Sequence, residues 1–328
     1  MILVLVDPLD ATATDPVLRL LYRRGIEHLR LQLSEFPESL GATLTYSGVN
    51  QGTRLRLGEE YLDLASVRSV WDRSSLSPGI SRGINTEDRQ MARKESAHFL
   101  RSVRQILQNR FWVNCYPNSS IASLKPYQLQ VAQSIGFEIP RTLMTNEPSE
   151  VLEFYKACGG DMIYKTFDHF TREVDGGKYL GIYTNRVQYE DLVSRLDQIR
   201  LAPCIFQEYV PKHVELRITV VGKNIFAAEI YSQQSERSRD DWRRYDLQNV
   251  AYRACDLPGS LQAKIGQLMQ RLNLVYASID MILTPDGRYV FLEVNPSGQW
   301  GWIEELTGMP IARSIAEMLA QATGDYAD

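Results

Sequence analysis

The spacing of apolar and polar positions divides the chain into short elements of alternating type. Ile2–Val6 is an unbroken apolar run and predicts a buried strand, and the helical spacing from Asp15 to Arg24 ends at Gly25. His28–Leu33 alternates, and Ala42–Ser47, Arg54–Leu57 and Ser66–Asp72 add strands. This opening predicts an α/β arrangement. Thr86–Gln108 reads as a long amphipathic helix whose outer positions, Glu87, Asp88, Arg93, Lys94, Arg101 and Arg104, form a solvated face. Pro117-Asn118 opens a new segment: a helix over Ser119–Ile135 that contains Lys125, then Glu138–Thr142, a helix from Pro148 to Ala157, and the short strand Met162–Thr166. The polar stretch Asp168–Gly181 carries Gly176-Gly177, and a glycine loop after a strand can fold over phosphates or simply form a surface hairpin. Leu180–Thr184, a helix over Val187–Ile199 and the apolar strand Cys204–Val210 follow, with a domain boundary between Leu201 and Pro211. Val214–Val221 and Asn224–Tyr231 pair around Gly222-Lys223, Ser232–Tyr245 is polar and Arg-rich, and helices cover Pro258–Leu272 and Pro310–Ala320.

Between those last two helices lie Ser278–Leu283 and Tyr289–Val294, which flank Thr284-Pro285-Asp286-Gly287 and predict a hairpin. Glu293 and Asn295 are two apart, so their side chains leave the same face. Folding about Pro285-Asp286 sets Asp280 opposite Glu293, within one residue of register. Two carboxylates and a carboxamide then converge on an otherwise apolar hairpin. These are the oxygen ligands magnesium prefers, and without a cation they would repel and desolvate one another.

Composition narrows the picture by exclusion. A length of 328 residues fits two or three domains, and 44% hydrophobic with 23% charged residues is ordinary for a globular protein. A net charge of −4 gives no support to nucleic-acid binding and tolerates a cationic peptide. No apolar run is long enough to span a membrane, and MILVLVDPLD lacks a basic n-region and reads as a first strand. Cys115, Cys158, Cys204 and Cys255 are scattered without a Cys-x-x-Cys pair, which fits a reducing cytoplasm and requires neither zinc nor disulfides.

Asp280 and Glu293-Val294-Asn295-Pro296 resemble the magnesium-binding end of ATP-grasp ligases. The continuation Ser297-Gly298-Gln299-Trp300-Gly301-Trp302-Ile303-Glu304, with Thr307-Gly308-Met309-Pro310-Ile311, is similar to the graspetide synthetases, the microviridin-type maturases that macrocyclise a ribosomal precursor peptide. The resemblance covers essentially the whole chain. It implies a mixed α/β (α+β) ATP-grasp fold with an N-terminal α/β pre-ATP-grasp domain (1–115), a central domain for the ATP lid and leader docking (116–203) and a C-terminal ATP-grasp domain with the Mg²⁺ site (204–328). ATP and Mg²⁺ are the implied cofactors, and a precursor peptide of leader plus core the implied partner, with no nucleic acid or membrane. A homodimer in the cytoplasm is also expected.

The resemblance assigns roles residue by residue. Asp280, Glu293 and Asn295 would hold the metal, and Lys125 and Lys165 would act as point charges on phosphates. Lys165 also stands out in the sequence itself, at the end of Met162-Ile163-Tyr164-Lys165 beside the glycine loop. Gln207-Glu208-Tyr209-Val210 resembles the adenine-reading hinge, where main-chain groups of the second and fourth residues read the base, and Glu215 the ribose-binding acid. Arg217, two positions on, shares the face of Glu215 while Val214, Leu216 and Ile218 face the core. It would either grip phosphate and acyl-phosphate oxygens or form a surface pair with Glu215. Arg243 is a further candidate for phosphate work. Glu190 and Asp191 match an acidic pair that docks a leader arginine, and also suit a helix start. Trp71-Asp72-Arg73 departs from the family's Trp-x-Arg-Arg by Ser74, and no site is placed there.

Carboxylate oxygen is a poor leaving group, so joining a carboxylate to a nucleophile needs activation to an acyl phosphate. The implied reaction is ω-ester formation between Asp/Glu and Thr/Ser of the precursor. The alternatives are ω-amide formation with Lys, a ligase acting on a small amino acid, and a nucleotide-binding module without catalysis. Ser232-Gln233-Gln234 and Asp241-Trp242-Arg243 look more like the ester branch, and a neutral, amide-lined approach would suit an uncharged hydroxyl.

Overall fold

The computed structural model describes residues 1–48, 50–75, 77–81, 83–168, 171–174, 178–181, 183–244 and 246–322. The first apolar run, Ile2–Val6, is buried on both faces and lies inside a parallel sheet of order His28–Gln32, Ile2–Val6, Ser69–Arg73, Phe111–Val113. A three-stranded antiparallel sheet, Leu40–Ser47, Asn50–Leu57 and Glu60–Asp63, accompanies it. Further along, Asn185–Arg186, Met162–Lys165, Cys204–Glu208 and Thr142–Thr145 form a second four-stranded sheet. The last sheet has five antiparallel strands in the order Tyr252–Cys255, Asn224–Ile230, Val214–Val221, Tyr276–Leu283, Tyr289–Asn295.

The inner strands Val214–Val221 and Tyr276–Leu283 of this sheet are buried on both faces, and the faces meet different partners. Val214, Leu216, Ile218 and Val220 pack with the helices Lys125–Ile135 and Gly259–Arg271. Val221, Ala228 and Tyr276 pack with the C-terminal helix Ile311–Gln321, which also meets Ile2, Val4 and Val6 of the parallel sheet and Val17 and Leu21 of the first helix, Ala11–Arg23. One C-terminal helix therefore fastens the first sheet to the last. Asn114 adds a polar joint: its amide donates to the carbonyls of Tyr276 and Pro296 and accepts from the N–H groups of Val275 and Tyr276, four bonds of which three are buried and that from Val275 partly so.

Several expectations need correction. The helix expected over Ser119–Ile135 is two helices, Tyr116–Ala122 and Lys125–Ile135, because Pro126 favours a helix start over an interior. Lys125 is thus the first residue of a helix. The helix expected over Val187–Ile199 is a six-residue α-helix, Tyr189–Ser194, followed by a 3₁₀ segment, Leu196–Leu201. Arg104 is not on the solvated face of Thr86–Ile106: it lies one turn after Leu100 on the inward side and pairs with buried Asp72 at 2.7 Å. Gly176-Gly177 lies outside the described residues. No helix among them is long and apolar enough to cross a membrane.

Candidate active site

The hairpin has the expected register. Asp280 pairs with Glu293 and Ser278 with Asn295, and a bulge follows between Asp280 and Met281. The Asn295 amide contacts Asp280 Oδ2 at 3.4 Å and Glu293 Oε1 at 3.3 Å, so the three candidate ligands do converge. Among the described residues no group of three or more His, Cys, Asp and Glu side chains could hold a metal; here the third donor is a carboxamide. Two carboxylates and an amide oxygen, all hard donors, fit Mg²⁺. Burial pushes the Asp280 carboxyl up to about 6, with Arg217 opposing the shift and the Glu293 carboxylate adding to it.

The next strand sets Arg217 against Asp280 in register, and its Nη1 donates to both carboxylate oxygens at 3.0 Å. Nη2 donates to the Gln299 carbonyl at 2.9 Å, and the guanidinium lies over the Trp242 ring. Arg217 therefore makes no surface pair with Glu215. The Glu215 carboxylate instead accepts from Lys212 at 3.1 Å and from Ser232 at 2.7 Å, and all three of these groups are buried or nearly so.

Opposite the hairpin stand the cations. Lys165 ends its strand in the cleft, and Lys125 reaches in from its helix start, 3.4 Å from Glu293, while donating to the Thr166 carbonyl. Arg243 approaches Glu293 at 3.9 Å and is held by Asp241 at 2.7 Å. Burial alone would push the Glu293 carboxyl up, but Lys125, Arg243 and Lys165 overcome it and hold the group well below the usual carboxylate range. Burial lowers the Lys165 ammonium to about 8, against the pull of Glu293. Cationic and anionic walls facing across one cleft suit a substrate carrying phosphates and a metal ion together.

The remaining wall of the cleft, about 780 Å³ including its open mouth, is apolar: Pro140, Ile163, Val210, Ile282 and Leu292 line it beside the hinge. Glu208 donates its N–H to the Arg141 carbonyl and pairs its carboxylate with Arg141 at 2.6 Å, so a base contact from that residue falls to its carbonyl. The Gln207 Nε2 donates to the Thr142 hydroxyl at 2.9 Å, and its buried Oε1 has no partner. Glu190 and Asp191 lie exposed in the first turn of Tyr189–Ser194, flanked by half-exposed Tyr189 and Val193. Of the two segments expected at the nucleophile's approach, only Asp241-Trp242-Arg243 lines the cleft. Gln233 and Gln234 are tied to the Arg239 carbonyl and the Ala251 N–H, so the amide-lined approach is not formed.

Sequence reasoning missed a brace behind Arg217. Arg73, buried, donates to Asp10 at 2.8 Å and to the Ser297 carbonyl at 3.3 Å, and Gln299 donates to the other Asp10 oxygen at 2.6 Å. Tyr276 donates to the Gly298 carbonyl at 2.6 Å. The loop after Asn295 is thereby pinned from three sides. Asp10 and Arg73 are 63 positions apart and carry no local pattern; the one available signal was an Arg ending a buried strand.

Known proteins can now be set beside this geometry. Residues 1–120 match the model of the MvdD pre-ATP grasp domain. No curated protein matches the chain. The macrocyclase MdnC of Microcystis aeruginosa MRC, solved bound with precursor peptide MdnA, is 32% identical over 98% of this chain and 100% of its own, with a TM-score of 0.86. A Chryseobacterium gregarium RiPP-associated ATP-grasp ligase, solved with ADP and a leader and core peptide, is 28% identical over 98% of this chain and 96% of its own, with a TM-score of 0.87. The macrocyclase MdnB from Microcystis aeruginosa MRC is 30% identical over 97% and 98%, with a TM-score of 0.81. Likeness of this extent, running from the first sheet through the paired hairpin, makes the chain an ATP-grasp ligase, and it belongs to the microviridin-type macrocyclase family, the graspetide synthetases.

Proposed function

We propose that the protein macrocyclises a ribosomally made precursor peptide through ω-ester bonds, using ATP and Mg²⁺. The observation that carries this reading is the meeting of Lys125, Lys165 and Arg243 with Asp280 and Glu293 in one cleft, with Asn295 bonded to both carboxylates and buried Arg217 gripping Asp280. A core Asp or Glu oxygen attacks the γ-phosphorus and ADP leaves. A Thr or Ser hydroxyl then attacks the acyl carbon, phosphate leaves with the carboxyl oxygen, and the hydroxyl proton passes to solvent or phosphate. Asp280, Glu293 and Asn295 would hold the metal, which neutralises phosphate charge when bound. Lys125, Lys165 and Arg243 supply fixed positive charge to the phosphates, and the apolar wall with the hinge main chain seats the adenine.

Ester over amide is supported by charge. A lysine nucleophile enters as an ammonium and would meet three cations, whereas a hydroxyl enters neutral. Incubation with ATP, Mg²⁺ and a precursor peptide of leader plus core, read by mass spectrometry, should show one water lost per bond. Mild base should reverse each loss. Rings that survive base, or water loss that stops when the precursor's Lys residues are replaced, would identify amide formation.

Glu190 and Asp191 are read as the leader-docking pair, supported by their exposure beside half-exposed Tyr189 and Val193, which offers a basic, partly apolar helix both charge and surface. Reversing both charges should weaken binding of the isolated leader about tenfold and leave ATP affinity intact. An unchanged dissociation constant would reduce the pair to a helix-start feature. The homodimer expected from the family is tested separately, by sedimentation.

A further inference from the structure

One face of the helix Thr86–Ile106 closes a groove well outside the cleft. Arg93, Lys94, Ala97, His98 and Arg101 recur at helical spacing and, with Ser77 and Pro78 from the loop after Arg73, border a groove of about 980 Å³ including its open mouth. No carboxylate among the described residues lines it. The helix's own acids lie in its first turn, where Asn85 engages Asp88, and at Glu95, off this face. Arg93, Lys94 and Arg101 make no ion pair among the described residues, whereas Arg104, on the inward side, gives its Nη2 to Asp72 and Ser74. In a chain of net charge −4, a concentration of unpaired cations in a concave surface is a local field of opposite sign to the whole.

Its position ties it to the site. Ser77 is four residues beyond Arg73, at most about 14 Å of extended chain. Arg73 in turn touches the loop that Arg217 grips. Ser75 continues the link, donating its N–H to Asp7 and sharing a hydroxyl contact of 2.9 Å with Ser77. A peptide with one carboxylate in the cleft could lay further residues along this groove.

We propose that the groove is an exosite for an acidic stretch of the peptide substrate, holding carboxylates that are not in the ring being closed. This rests on the reading of the protein as a peptide macrocyclase, whose substrate carries one carboxylate for each bond formed. Together with acidic Glu190 and Asp191, the groove gives the enzyme two docking surfaces of opposite sign. A peptide that is basic in its leader and acidic in its core then has a single favourable direction.

The test is the triple variant R93E/K94E/R101E, at exposed positions whose change leaves the core intact, verified by its melting curve. At low salt its KM for the precursor should rise about tenfold, with kcat and the KM for ATP unchanged, and the difference should fade near 1 M salt, where the screening length is about 3 Å. Neutralising the core carboxylates outside the first ring should abolish the difference between variant and parent. Direct binding of a fluorescent acidic core peptide, without ATP, gives a readout independent of turnover. If the parent and the variant bind that peptide equally, the exosite is overturned even where rings still form. If the parent binds it and forms no rings, the macrocyclase reading fails and the groove stands. Equal displacement of the peptide by an unrelated oligonucleotide of the same charge would make the groove a general anion surface and overturn the assignment.

Discussion

Glu293→Gln is expected to fold and to lose about 100-fold or more in ATP-dependent turnover. The change preserves volume and removes one charge at the point where Lys125, Lys165 and Arg243 converge and where Asp280 stands opposite in register. A carboxamide oxygen is a weaker donor to a hard dication, and Lewis-acid stabilisation of a phosphoryl group is worth several kcal/mol, each ~1.4 kcal/mol being a factor of ten. The metal-free protein should respond as well. Glu293 is held below the ordinary carboxylate range, so its charge contributes stability at neutral pH, and that contribution is lost as pH falls through the folded-state value. In chelator, the variant should therefore melt lower than the parent at pH 7, and the gap should narrow in acid. Lys165 would also lose a charge that supports it, dropping further from its value of about 8. Parent-like turnover at saturating Mg²⁺ would reject the metal site.

What could be read from the sequence follows from the range of the interactions involved. The hairpin was legible because turn chemistry and a period of two act within a few residues, and they placed Asp280 opposite Glu293 correctly. Arg217 was placed on the correct face by the same period, and Lys165 at a strand end. The partner of Arg217 was not legible: the alternatives were phosphate or Glu215, and the structure gives Asp280, on a strand 63 positions away. The same limit hid Arg73–Asp10–Gln299, a chain of bonds that joins the first sheet to the loop after the last strand. Arg104 was misplaced because charge outweighed position in the helical pattern; an arginine on an inward face needed a buried acid, and Asp72 lies on another element. Gln233 and Gln234 were given an outward role, whereas backbone groups 6 and 17 positions away, at Arg239 and Ala251, claimed their amides.

Arg217→Lys should lose turnover by about 10²- to 10³-fold, with little change in the KM for ATP. The guanidinium spans two groups at once, with Nη1 on both oxygens of Asp280 at 3.0 Å and Nη2 on the Gln299 carbonyl at 2.9 Å. An ammonium keeps the charge but is a compact point donor, so it can satisfy the carboxylate or the carbonyl in one position, not both. Because the charge is kept, the variant escapes most of the ~3–5 kcal/mol that an uncompensated buried carboxylate costs, and folding should survive. Gly298 supplies a second route to the same result without touching Arg217. A Cβ there would stand 2.4 Å from Ser278 Cβ and 2.9 Å from Arg217 Nη2, so Gly298→Ala must push the loop or the guanidinium aside. Both variants should bind ATP normally and fail at the activated carboxylate. Single-turnover experiments separate the steps: ADP formation that persists while ring closure falls places Arg217 at acyl-phosphate attack, and equal loss of both places it at phosphoryl transfer. Arg217→Lys with parent kcat and a lowered melting temperature would make the residue a structural partner of Asp280 and nothing more.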